Sequence, residues 1–163
     1  MKKLALGVSM VVVCLLGAFA QDNAPHVVNG ATSKFIKLQV APQCMEASAQ
    51  EGDPMKGAAV LLIKMQSGCV VPWHWHSANE RLYMVSGRGK IEMKDHGAEV
   101  VAPSDYVFLA AKGIHQFTCT TTCTFFDVTD AAFDIHYVKA DGSEIPPEEA
   151  LKAGAKKAPA KKK

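Results

Sequence analysis

Two histidines separated by one residue, His74 and His76, are the clearest candidates for chemistry in this chain of 163 residues. In a β-strand successive side chains alternate between faces, so the two imidazoles would lie on one face and Trp73 and Trp75 on the other. Two imidazoles on one face can bind the same transition-metal ion. The segment therefore predicts a metal clamp, although two surface histidines in a hairpin would show the same spacing.

Glu80 is the third candidate ligand. It shares the strand parity of His74 and His76, but six residues of continuous strand would place it about 20 Å from His74. The chain must therefore turn between them, and the small polar residues 77–79 favour a turn. We expect Glu80 beside His76 on a neighbouring strand.

The spacing continues to glycines on both sides, as Gly68-x5-His74-x-His76-x3-Glu80-x6-Gly87. This string resembles the first motif of the cupin family at each of its defining positions. Cupins are small β-barrels of the jelly-roll type. The resemblance implies an all-β, single-domain cupin, a double-stranded β-helix with a short C-terminal helix at most.

His115 occupies the histidine position of the second cupin motif, Gly-x5-Pro-x-Gly-x2-His-x3-Asn. In metal-binding members this histidine completes a site of three histidines and one glutamate. Asp105 also matches, since many cupins carry a Gly-Asp turn there. The other positions of the motif are occupied by Ser104, Ala110, Lys112 and Cys119. The resemblance implies that the metal ligands are His74, His76, Glu80 and His115.

Such a ligand set suits one divalent transition metal ion per chain: Fe, Mn, Ni, Cu or Zn. The cupin resemblance implies a metal-dependent oxidoreductase of the dioxygenase type, such as a quercetinase-like enzyme, acting on a small organic substrate. Glu80 would then also be the catalytic general base. The alternative is a cupin module that binds or senses a small ligand or metal without turnover.

The N-terminus is typical of a secretory signal peptide: Lys2 and Lys3, an apolar run over residues 4–16, and small residues at Ala18 and Ala20. We expect cleavage after Ala20 and a secreted or periplasmic protein, with a leader of bacterial type. The apolar run is too short to span a membrane comfortably, so we expect no stable membrane insertion.

Four cysteines follow the leader, and an exported chain with an even number favours disulfides. Cys119 and Cys123 enclose three threonines, where a hairpin turn can hold their Cα atoms within bridging distance. That pairing leaves Cys44 for Cys69. A zinc site formed by His115, Cys119 and Cys123 is the competing interpretation.

Short apolar runs and frequent turn signals predict β-structure between the two ends. We expect a strand over residues 58–65 and a hairpin formed by residues 81–85 and 90–94. The whole chain divides into a signal peptide at 1–20, a flexible segment at 21–34, the barrel at 35–145, and a short helix with a disordered Lys- and Ala-rich tail at 146–163.

The charge pattern argues against a nucleic-acid-binding body. The formal net charge is +2, and the leader removes Lys2 and Lys3, so the remaining 16 basic residues balance 16 acidic ones. The tail from Lys152 carries six lysines and no acidic residue, so the basic charge is concentrated at the C-terminal end and not on the folded body. A small molecule is therefore the expected partner. Exposed side chains at Trp73 and Trp75 would favour a homodimer.

Overall fold

The computed structural model describes residues 25–157, which form ten strands and one helix. The strands of the first half are β1 (Met45–Gly52), β2 (Ala59–Met65), β3 (Val70–Trp75), β4 (Glu80–Ser86) and β5 (Gly89–Met93). They are followed by β6 (Gly97–Val101), β7 (Tyr106–Leu109), β8 (His115–Cys119), β9 (Cys123–Thr129), β10 (His136–Tyr137) and the helix α1 (Pro147–Lys157).

The strands form two antiparallel five-stranded sheets. The first sheet has the order β1-β2-β9-β4-β7, and the second has the order β10-β3-β8-β5-β6. Most neighbours within a sheet are distant in sequence, as in a jelly roll. The all-β fold predicted from the sequence is confirmed, with one short helix near the C-terminal end of the described residues.

The core lies between the two sheets. In β9 every second residue is buried, so Phe125 lies inside while Phe126 is only half-buried. Phe125 packs edge-on against Phe117 of the second sheet, with ring centroids 5.1 Å apart. Ile63 of β2 and Ile91 of β5 are almost completely buried in the same cluster. This alternation fixes which side chains of each strand reach the interior.

The predicted hairpin of residues 81–85 and 90–94 is wrong, because β4 lies in the first sheet and β5 in the second. The chain crosses between the sheets at Gly87, where φ is 76°. A Cβ atom at Gly87 would lie 2.1 Å from the carbonyl oxygen of Thr122, so the crossing requires glycine. The threonine-rich turn also joins strands of opposite sheets, β8 and β9, and is not a hairpin within one sheet.

Two residues at glycine positions of the second cupin motif adopt the backbone conformation that favours glycine. Ser104 has a φ of 79° and Lys112 a φ of 63°. Lys112 donates its backbone N–H to the carbonyl of His76 at 2.8 Å, and the Asp105 carboxylate accepts the N–H of Ala102 at 2.7 Å. The turn geometry is therefore present without the glycines.

The four cysteines lie at the joints between the sheets. Cys44 and Cys69 are joined with a Cα–Cα distance of 5.7 Å, and Cys119 and Cys123 with a distance of 5.9 Å. Cys44 and Cys69 directly precede β1 and β3, whereas Cys119 ends β8 and Cys123 begins β9, so each bridge joins segments of opposite sheets. The pairs are those expected from the sequence, and two disulfides fit an oxidising environment.

The helix α1 packs against β3 through the buried Ala150. It continues through Lys157, five residues beyond Lys152 and into the segment for which we predicted disorder. Alanine and lysine are good helix formers, and Glu148 and Glu149 favour the first turn. No helix among the described residues is long and apolar enough to cross a membrane. The predicted leader and residues 158–163 lie outside the described range.

Candidate metal centre

Three buried histidines from two neighbouring strands form the centre of the site. His74 is near the end of β3 and pairs directly with His115, the first residue of β8. His76 follows the end of β3. All three side chains are only 3–4% exposed, and their ring centroids lie between 4.2 and 5.5 Å apart.

Each imidazole is held by a backbone carbonyl group. The Nδ1 atoms of His74 and His115 contact the carbonyl oxygens of Pro72 at 2.6 Å and Gly113 at 3.0 Å. The Nδ1 of His76 contacts the carbonyl oxygen of Asp134. A carbonyl oxygen can only accept, so Nδ1 carries the proton in each ring. In the neutral form of each ring Nε2 then carries the free lone pair through which imidazole binds metals.

Glu80 completes the cluster from the opposite sheet. Its Oε2 atom lies 3.4 Å from Nε2 of His115 and 3.6 Å from Nε2 of His76. Glu80 lies beside His76 as expected, but not on a neighbouring strand, because Glu80 begins β4 in the first sheet whereas His74 lies in β3 of the second.

Residues 77–79 cross between the sheets and are held by two aspartates. The N–H groups of Ser77 and Asn79 donate to Asp134 at 2.7 Å and Asp130 at 2.9 Å. The Asn79 amide also donates to Asp130 at 2.7 Å. These bonds turn the chain so that Glu80 faces the histidines across the barrel interior.

The donor set fits a divalent transition metal ion. One ligand atom from each histidine can be chosen so that all three lie within 4.8 Å of one another. His76 Nε2 and Glu80 Oε2 are buried and have no hydrogen-bond partner within residues 25–157. Buried polar atoms without partners are costly, and a bound cation would satisfy both.

The charge states match that use. Burial lowers the pKa of His74 well below its ordinary value, and His115 and His76 lower it further, so the ring stays neutral. Burial alone would raise the pKa of Glu80, but His76, His115 and Asp127 outweigh it and hold the pKa below its usual range. The cluster thus presents a neutral imidazole at His74 and an anionic carboxylate at Glu80.

The family model described as the cupin domain matches residues 61–129, a range that contains the whole histidine and glutamate pattern and His115. The two sheets and many structural neighbours agree with it. The chain is a single-domain member of the cupin superfamily. No curated protein matches this cupin in sequence.

Solved structures share the fold at low sequence identity. The polyketide cyclase RemF from Streptomyces resistomycificus has a TM-score of 0.64 and 18% identity, and the match covers 83% of this chain and 99% of that one. An RmlC-like cupin from Shewanella frigidimarina has 0.57 and 15%, covering 72% and 96%. The DMSP lyase DddQ from Ruegeria pomeroyi has 0.54 and 15%, covering 71% and 61%.

A cavity of about 40 Å³ adjoins the cluster inside the cupin barrel. Apart from the candidate ligands and Asp127, its walls are apolar. Those walls include Leu82, Phe117, Phe125, Phe133 and Ile135. The site therefore combines a polar centre with a small water-poor space, which is typical of sites for small molecules.

Asp127 is the site residue that sequence reasoning missed. It lines the cavity, is 4% exposed, and lies diagonally from Glu80 on the paired strands β9 and β4. Burial and, next, the charge of Glu80 raise the pKa of Asp127 well above its ordinary value, which favours the protonated form. The sequence feature that could have indicated this residue is an acidic side chain at an inward position of the apolar run in β9.

Trp73 and Trp75 are half-buried and so do not form the exposed pair that would favour a homodimer. The ring of Trp75 stacks on His136 of β10, with centroids 3.8 Å apart and planes 4° apart. His136 lies 3.2 Å from Asp134 and 3.5 Å from Glu144 through its two nitrogens. These contacts support the strand that carries the ligands, and the homodimer stays a prediction.

The competing zinc site is not formed within the described residues. Cys119 and Cys123 are joined to each other, and His115 lies against His74. The group of residues 25–157 that can hold a metal ion is formed by the three histidines His74, His76 and His115.

Proposed function

We propose that this cupin binds one divalent transition metal ion through His74, His76, His115 and Glu80, and acts as an oxidoreductase of the dioxygenase type on a small organic substrate. The main support for the proposal is that all three imidazoles are held in the same way. Each Nδ1 is held by a backbone carbonyl, so each Nε2 lone pair is available to one ion.

A redox-active ion bound there would supply electron transfer with dioxygen, whereas zinc would supply only Lewis acidity. Imidazole is neutral when it binds a metal, so three histidines and one carboxylate would leave a divalent ion with a net positive charge, which would favour an anionic substrate oxygen. The apolar cavity walls exclude water from that oxygen.

Glu80 has a second proposed role as a proton acceptor. Its carboxylate is kept ionised by the histidines, and it lines the cavity into which a substrate would enter. A base must lie within hydrogen-bonding reach of the proton that it removes. Asp127 lies diagonally from Glu80 on β9 and lines the same cavity.

The structural neighbours support action on a small molecule but do not select the reaction. A polyketide cyclase and a DMSP lyase share the fold, and their names describe different chemistry. At these identities the likeness concerns the fold alone. The dioxygenase reaction therefore rests on the ligand set and its open coordination positions.

A binding or sensing module without turnover is the second candidate, and the size of the cavity favours it. The space of about 40 Å³ leaves little room for dioxygen beside a bound ligand. A metal site in so small a space can bind a ligand without converting it to a product.

We also propose that the protein works outside the cytoplasm. The two joined cysteine pairs support this, since such pairs persist in oxidising compartments.

Oxygen consumption by protein loaded separately with Fe(II), Mn(II), Ni(II) and Cu(II) tests the enzyme proposal. Phenolic, thiol and diketone compounds serve as substrates, and His76→Ala is compared with His96→Ala, which changes an exposed turn histidine. We expect turnover with at least one metal, its loss in His76→Ala and its retention in His96→Ala. Ligand binding without oxygen uptake for every metal would favour the module and refute the oxidoreductase.

A further inference from the structure

Asp127 is a buried carboxyl group that the candidate metal site does not use as a ligand. It stands on β9 of the first sheet, and its neighbours at inward positions, Phe125 and Thr129, are also buried. A carboxyl group inside an apolar barrel is costly unless its oxygens have partners. Packing alone therefore does not explain why a carboxyl group is buried at Asp127.

Glu80 does not meet this requirement, because an ionised carboxylate has no hydrogen to donate. It lies diagonally from Asp127 on the paired strand β4 and lines the same cavity. Asp127 Oδ1 has no hydrogen-bond donor within residues 25–157. An acceptor atom without a donor among the described residues therefore belongs to a side chain that lines the cavity.

The surroundings of this open acceptor limit what can fill it. The cavity walls beside Asp127 are the apolar side chains of Leu82, Phe117 and Phe125, which have no donors. The same cavity contacts all three histidines and Glu80. A molecule that enters it thus has its apolar body against the rings, one oxygen toward the histidines, and a second polar group near Asp127.

We propose that Asp127 forms a subsite that accepts a hydrogen bond from a hydroxyl group of the substrate, next to the oxygen that faces the histidines. The ligand class is a small, largely apolar or aromatic molecule with two neighbouring oxygens, one of them bearing hydrogen. This inference rests on the proposed metal-binding function. In this role Asp127 is a binding residue that selects the hydroxyl, while Glu80 accepts the proton.

Catechol and 2-methoxyphenol are suitable probes because they differ in one hydroxyl hydrogen. Their dissociation constants are measured by calorimetry on the full chain loaded with Zn(II), which avoids oxidation. We expect wild-type protein to bind catechol more tightly, and Asp127→Leu to reduce that preference about tenfold, the scale of a lost hydrogen bond to a buried acceptor. Asp127→Asn keeps a carbonyl acceptor and should restore the preference.

Thr129→Val is the matched control. Thr129 lies on the same strand and face, and its buried hydroxyl also has no partner within the described residues, but it does not line the cavity. We expect it to leave the preference for catechol unchanged. Asp127→Ala serves in place of Asp127→Leu if the larger side chain prevents folding, which circular dichroism would show.

The outcomes separate this inference from the metal proposal. If wild-type protein binds no Zn(II), the proposed metal function fails. If it binds Zn(II) but shows no preference between the probes, or if Asp127→Leu keeps the full preference, the subsite is refuted and Asp127 is served by water. An equal loss in Thr129→Val would also refute it, since the effect would then come from the strand as a whole.

Discussion

Glu80 Oε2 lies 3.4 Å from His115 Nε2, although the two residues begin strands of opposite sheets. The candidate metal centre therefore spans the interior of the barrel and depends on the distance between the sheets. The two cysteine bridges join the same sheets at other points. A change that moves one sheet against the other should affect metal binding even when no ligand is altered.

Asp134→Ala should weaken metal binding about tenfold, because a group that orients a ligand contributes to affinity. The Asp134 carboxylate accepts the N–H of Ser77 at 2.7 Å, and its backbone oxygen holds Nδ1 of His76. Competition with a fluorescent chelator measures the affinity. Asp141→Ala is the control, since Asp141 bonds Ser143 in an exposed turn. Equal affinities for both variants would contradict the positioning role of Asp134.

Lys112→Gly should stabilise the protein by up to about 1 kcal/mol. A left-handed conformation costs a residue with a side chain about 1–2 kcal/mol, and the added freedom of glycine in the unfolded chain offsets about half of that. Lys112 has a φ of 63°. Urea denaturation gives the free energy of unfolding, and Lys90→Gly in β5 should destabilise instead. Destabilisation by both variants would refute the prediction.

The metal-free protein should show a pH-dependent effect of Asp127→Asn. Burial and then Glu80 raise the pKa of Asp127, so the native state keeps a proton that the unfolded chain releases above its ordinary pKa of 3.8. Wild-type stability therefore has a contribution that is lost as the pH rises, by at most about 1.4 kcal/mol per pH unit. The Asp127→Asn variant has no titratable group at this position, so its stability does not lose this contribution as the pH rises.

Urea denaturation at pH 5 and pH 7 measures this difference. The stability of Asp127→Asn relative to wild type should be about 1 to 2 kcal/mol greater at pH 7 than at pH 5. The exposed Asp95→Asn variant is the control. A relative stability that falls with rising pH would show that the native state does not keep the Asp127 proton.

The Cys44–Cys69 bridge should stabilise the fold more than the Cys119–Cys123 bridge. Their sequence separations are 25 and 4, and the longer loop restricts the unfolded chain more. Replacing both cysteines of each pair by alanine should cost about 3 kcal/mol for the first pair and about 2 kcal/mol for the second. Chemical denaturation compares the two variants, and a larger loss for the second pair would contradict the ranking.

The sequence predicted the fold class and the three candidate histidines that the structure brings together, because both depend on local spacing. His74 and His76 are buried on either side of the half-buried Trp75, as alternation predicts, and the cupin motif adds His115. The glycine positions show the limit of such a match. Ser104 and Lys112 depart from the motif yet adopt its backbone geometry, so the fold tolerates the strain that the motif avoids.

What could not be predicted depends on contacts between distant segments. Turn signals around Gly87 look like those of a hairpin, but the pairing of β4 with β9 and β7 decides that the chain changes sheets there. Asp127 gains its role only because β4 lies beside β9 and brings Glu80 next to it. The spacing of residues along the chain does not indicate that β4 pairs with β9.

Elemental analysis of the protein purified from its own host tests the central claim most directly. We expect about one transition-metal ion per chain in the wild type and in His96→Ala, and a large loss in a His115→Ala variant whose circular dichroism matches that of the wild type. Metal content that is equal in His115→Ala and wild type, or absent from a folded wild type even after incubation with Fe(II), Mn(II), Ni(II), Cu(II) and Zn(II), would contradict it.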